Sequence, residues 1–209
     1  MTEPDRWSVG LETVAPGWLL IPAGMSEEDR TAWVDARVAE LREAWGAEWG
    51  PGSEDRVRSL LVAGAEERSE SDALLLFQVW PVFAPIAAMC RIAVLPNDGL
   101  PPWSEWGGVA HRVEAPHVGP GVQYTERHER EMGGAGLHEV FSTALVFNDD
   151  RSALVIALQE MPAIVLNDIR DGFVGLLDSI RLQAPDGSAF ASQEPAGVLD
   201  DGPWRVEAV

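Results

Sequence analysis

The sequence predicts an α+β fold, a mainly antiparallel sheet of about six strands with helices packed on it. Three observations predict it. Two stretches between Ser26 and Asp72 carry apolar residues at helical spacing behind recognisable start signals. Apolar runs of strand length follow between Ala73 and Glu160, divided by turn residues. A helical period returns from Ile169 to Ile180. With 209 residues, 46% hydrophobic and 23% charged, the chain is large enough to bury a core without a metal or disulfide staple.

In chain order, Trp18 to Ile21 reads as a short strand stopped by Pro22. Ser26 is an N-cap with Asp29 in the reciprocal position of a capping box, and Glu27 and Glu28 suit the positive end of the helix dipole. Val34, Val38, Leu41 and Trp45 then share one face until Gly46 and the Gly50-Pro51-Gly52 cluster stop the helix. A second helix starts at Ser53, with Val57, Leu60, Leu61 and Gly64 along one side. Ala73 to Trp80 and Ile86 to Leu95 read as strands covered on both faces, joined by a proline-rich bend. A loop with Trp103 and Trp106 leads to a strand over Val109 to Ala115. Gly121 to Glu131 alternates with few apolar residues, which predicts an exposed, charge-protected edge strand. Leu137 to Phe147 and Ser152 to Glu160 form a hairpin about Asn148-Asp149-Asp150. The residues near Pro162 to Asn167 have no clear period. The folded domain is expected over residues 1–182, and residues 183–209, rich in Gly, Pro and Asp, read as a C-terminal tail that can dock on it.

The formal net charge is −19, and all fifteen basic residues are arginine. Such a surface repels phosphate backbones and anionic lipid, so neither nucleic acid nor membrane is expected as a partner. Absence of lysine removes Schiff-base chemistry and the phosphate-loop lysine. A single cysteine, Cys90, in an apolar run reads as a buried structural thiol and excludes a disulfide framework. The acidic start lacks a signal-peptide pattern, and the cytoplasm is the expected compartment.

The C-terminal half closes with a strand, a tight acidic turn, a second strand and a helix running through Phe173-Val174-Gly175-Leu176-Leu177-Asp178-Ser179-Ile180-Arg181-Leu182. Over residues 137–182 this rhythm resembles the closing unit of the PsbP-like fold family. The resemblance implies a sandwich of an antiparallel sheet with helices on both faces, and a non-catalytic binding or assembly-accessory role. No binding residue of the family has a matching position here.

Two constellations stand out. His111, His117, His128 and His138 fall in one stretch. If His128 and His138 faced each other across a hairpin, they could hold a divalent metal with Glu139; otherwise they are surface histidines on a polar strand. Trp103 and Trp106, in their proline-rich loop, either anchor a partner or cover one end of the sheet. Nucleophile elbows and dinucleotide-binding glycine patterns are missing from the sequence. No cofactor is expected. The leading expectation is a non-catalytic protein that binds an unidentified protein partner. The alternatives are a small metal-binding protein or enzyme built on the His111–His138 region, and a subunit of a larger assembly.

Overall fold

A computed structural model describes residues 6–12, 16–80, 83–97, 108–131, 136–196 and 198. Capping chemistry starts the first helix. The Ser26 hydroxyl accepts from the Asp29 backbone N–H at 3.1 Å, and the Asp29 carboxylate accepts in return from the Ser26 backbone N–H at 3.3 Å. Helix α1 then spans Glu27–Trp45, followed by a 3₁₀ turn over Gly46–Glu48, and α2 spans Ser53–Glu70. The last two helices are α3, Ala163–Asp168, and α4, Arg170–Ser179.

The strands are β1 Ser8–Gly10, β2 Trp18–Leu20, β3 Leu75–Val79, β4 Ala88–Pro96, β5 Val109–Ala115, β6 Gly119–Glu131, β7 Leu137–Asn148, β8 Ser152–Met161 and β9 Arg181–Gln183. Seven form one antiparallel sheet in the order β2-β3-β4-β8-β7-β6-β5, and β1 pairs with β9 in a small second sheet. The fold class is therefore the expected one, with one more strand in the main sheet. The hairpin between β7 and β8 is set by side-chain caps. Asn148 Oδ1 accepts from the Asp150 N–H at 2.8 Å, and Asp149 Oδ1 accepts from the Ser152 N–H at 2.7 Å.

Period-two alternation gives the sheet two distinct faces. On one, Phe77, Cys90, Ile92, Leu145, Phe147, Leu154 and Ile156 form a buried cluster with Phe173 and Leu176 of α4 and with Ile180 just after it. Each such side chain contributes about 1.5–3 kcal/mol when fully buried, so this face holds most of the apolar stabilisation. At its edge Trp18 meets Phe173 edge-on at 5.0 Å and Phe77 at 5.9 Å. Helix α4 comes this close because position 172 is glycine. A Cβ there would lie 2.3 Å from Trp18 Nε1.

The opposite face carries α1 and α2. Val34, Val38, Leu41 and Trp45 of α1 pack with Val57 and Leu61 of α2 and with Trp80. Ala65 of α2 joins Ile21, Leu76 and Met89. Gln78, buried on β3, donates from Nε2 to the Leu60 carbonyl of α2 at 2.7 Å, a bond made possible by the bare backbone at Gly64. Arg58 pairs with Asp35 at 2.6 Å and Arg42 with Glu54, tying the two helices together.

One expectation needs correction, and one stretch without a clear period gains a structure. Strand β6 is not an edge strand: it pairs with β5 through residues 119–125 and with β7 from Val122 onward. Its charges have a local reason, because β5 stops opposite Thr125 and residues 126–131 pair only with β7. The segment after Pro162 is helical, since α3 packs Val165 and Leu166 into the α4-side core. The tail docks through residue 196: Phe190 is buried in the same core, its N–H bonds the Leu182 carbonyl, and the Ser192 N–H bonds the Val118 carbonyl at 2.7 Å. Cys90 is fully buried, and burial pushes its thiol pKa far up, so it is chemically inert in the folded chain.

The Trp18 contact generates a paired prediction. Gly172→Ala forces α4 off the indole and costs about 1–3 kcal/mol, as overpacking does. Gly175→Ala, where an added Cβ meets nothing within 4 Å, stabilises α4 by about 0.5–1 kcal/mol. Urea unfolding checks both, and equal stability of the two variants contradicts the packing described.

Candidate functional site

On the helix-pair face, the buried residues that join α1 and α2 come from β2, β3 and the start of β4. Next to them, before the buried Val122, Tyr124 and Val146, the face carries smaller residues. The register places Ala93 beside Val155, Arg91 beside Ala157, and Ala157 beside Ala144. Ala93, Ala144, Val155 and Ala157 are all half-buried. With α2 as one wall, Ala157 lies in a trough of about 380 Å³ whose lining also includes Glu67, Met89, Arg91, Ser142, Gln159 and Glu160.

A register break shapes its far end. Phe141 pairs with Met161 and Thr143 with Leu158, so Ser142 faces two residues, Gln159 and Glu160. Strict alternation after Leu154, Ile156 and Leu158 would send residue 160 into the α4-side core. The extra residue gives that place to Met161, which is buried, and turns Glu160 into the trough wall. There the Glu160 carboxylate takes both arms of a fork from Arg130, Nε and Nη2, each at 2.7 Å. Arg130 holds the Glu160 carboxyl below its usual range, chiefly by this hydrogen bonding, and the carboxylate raises Arg130 in return. Across the trough Arg91 bonds Glu67 of α2 through Nη2 at 2.6 Å and Nε at 3.1 Å.

His128 lies in the same wall, with Nε2 at 3.1 Å from Ser142 Oγ, 3.6 Å from Glu160 Oε1 and 3.8 Å from Glu126 Oε2. These residue types invite comparison with a nucleophilic relay, but the geometry is wrong for one. A relay sets the hydroxyl on one imidazole nitrogen and the orienting carboxylate on the other. Here the hydroxyl and both carboxylates gather at Nε2, and Arg130 already occupies Glu160.

The metal set proposed from the sequence does not assemble. His128 stands opposite Val140, and His138 opposite Arg130 two positions along, on the same face. The His128 imidazole turns toward Ser142, away from His138. Glu139 stands opposite Glu129 on the other face and pairs with Arg127. His117 sits in the β5–β6 turn, where its Nε2 accepts from Arg181 at 3.0 Å, and His111 stands opposite Gln123. The four imidazoles are thus dispersed, and among the described residues no group of three or more His, Cys, Asp or Glu can hold a metal. Trp103 and Trp106 lie outside the described residues.

Sequence reasoning did not find Ser142, Glu160, Arg91 or Glu67. One signal was present: the step from Leu158 to Met161 breaks the period-two pattern by one residue. The other partners meet only through long-range pairing. No described helix is long and apolar enough to cross a membrane. Comparison with protein-family models, with curated proteins and with solved structures gives no match.

The Arg130–Glu160 fork carries a pH signature. A carboxyl whose folded pKa is depressed contributes stability that is present above its unfolded value of about 4.3 and is lost as pH falls through the folded value. Glu160→Gln therefore loses a small amount of stability near neutral pH, and its difference from wild type shrinks as the medium is acidified below about 4.3. Urea midpoints measured across pH check this. A difference that stays constant or grows in acid contradicts the pairing.

Proposed function

We propose that the chain is a non-catalytic protein-interaction module that receives a partner segment in the trough beside α2. The observation that carries this reading is the trough itself, where half-buried Ala157 and buried Met89 are rimmed by fixed charges. Small side chains on a sheet let another backbone approach closely. Rim charges held in forks present a defined pattern without a large ordering cost on binding.

The rim residues Glu67, Glu126 and Glu160 outnumber Arg91 and Arg130, and the whole chain carries −19. Charge complementarity therefore favours a partner segment with a small apolar tip flanked by basic residues. The ionised state favoured for Glu160 suits a rim charge better than a proton donor. The resemblance of residues 137–182 to the PsbP-like family supports the same accessory role.

The test is affinity capture from the native host with wild type and with Ala157→Arg, which fills the trough and adds repulsion toward a basic segment. Wild type is expected to retain a stoichiometric partner, with capture falling as salt is raised. The variant, folded by circular dichroism, is expected to retain at least tenfold less. Recovery of no stoichiometric partner, or equal recovery by both proteins, counts against the reading.

A further inference from the structure

Acidic residues outnumber arginines 34 to 15, so an arginine in this chain has carboxylates in abundance. Eight described arginines, at 37, 42, 58, 91, 112, 127, 130 and 181, have a carboxylate within ion-pair distance. Arg30 of α1 and Arg68 of α2 form no ion pair with any described residue, yet both line one depression. It holds about 240 Å³, and Met25, Ala65, Ser69 and Ser71 also line it.

Both arginines are half-buried. Arg68 is anchored, since Nη1 donates to the Ala73 carbonyl at 2.9 Å. Its Nε is shut off from solvent and has no acceptor among the described residues. A buried N–H left without an acceptor is unfavourable, more so on a charged group. Two like charges sharing one recess are unfavourable as well. An oxyanion placed between the two guanidinium groups would offset that repulsion through their remaining N–H groups, since the planar fork of arginine matches phosphate and carboxylate oxygens. The apolar wall of Met25 and Ala65 leaves room for a small organic body attached to that anion.

We infer that the recess between the start of α1 and the end of α2 binds a small molecule bearing a phosphate or carboxylate group, held by Arg30 and Arg68. The site is separate from the trough, so it stands whether or not a protein partner docks there.

Calorimetric titration of the full chain with inorganic phosphate and, separately, with malonate tests the inference. Saturable binding of at least one probe is expected, weakened at least tenfold by Arg30→Gln. That substitution leaves the Arg68 anchor to Ala73 untouched, so it keeps the test clear of folding defects. Arg68→Gln is expected to weaken binding by at least as much where it remains folded. Preference for phosphate assigns a phosphorylated ligand, and preference for malonate assigns a carboxylate. Absence of saturable binding by both probes at millimolar concentration overturns the inference, as does equal binding by Arg30→Gln and wild type.

Discussion

Seven antiparallel strands about 4.8 Å apart span about 29 Å from the first to the last, whereas two packed helices cover about 20 Å. This mismatch governs the helix-pair face. Helices α1 and α2 bury residues of β2, β3 and the start of β4 and stop there. The α4 face is finished differently: α3, α4 and Phe190 from the tail all contribute to its single large core. One face is therefore committed to stability. On the other, Val122, Tyr124 and Val146 are buried as well, and the half-buried stretch around Ala157 lies between them and the helix pair.

The half-buried part around Ala157 keeps its form through polar chemistry in place of packing. A one-residue register break in β8 moves Glu160 out of the core and beneath Arg130. That places an ion pair, a histidine and a serine along one wall, while Arg91 and Glu67 fix the other. Bulges commonly re-aim a side chain at functional positions, and this one does so at no cost to the core because Met161 fills the vacated place. Ala157 keeps the floor low between these walls.

Features set by local sequence were legible. The Ser26 cap, the stop at Gly46, the Asn148–Asp150 turn and the apolar face of α4 each depend on residues within one or two turns of one another. Features set by pairing were not. The stretch from Gly121 to Glu131 reads as an edge, but whether a neighbouring strand covers its first half depends on where β5 ends. The histidines look clustered in sequence, yet strand alternation and side-chain direction separate them, and Glu139 falls on the far face. Arg30 and Arg68 come together only because two antiparallel helices bring the start of one beside the end of the other. No spacing rule connects residues that meet in this way.

The central claim is that the small residues of β7 and β8 lie open beside α2 in the native state. It is tested most directly by thiol reactivity at Ala157→Cys, because Cys90, the sole native cysteine, is fully buried and provides a silent background. The account predicts that the introduced thiol reacts with an aromatic disulfide reagent under native conditions within seconds to minutes, while Cys90 reacts only after unfolding. An introduced thiol as protected as Cys90 would mean that the trough is closed, and would contradict the account.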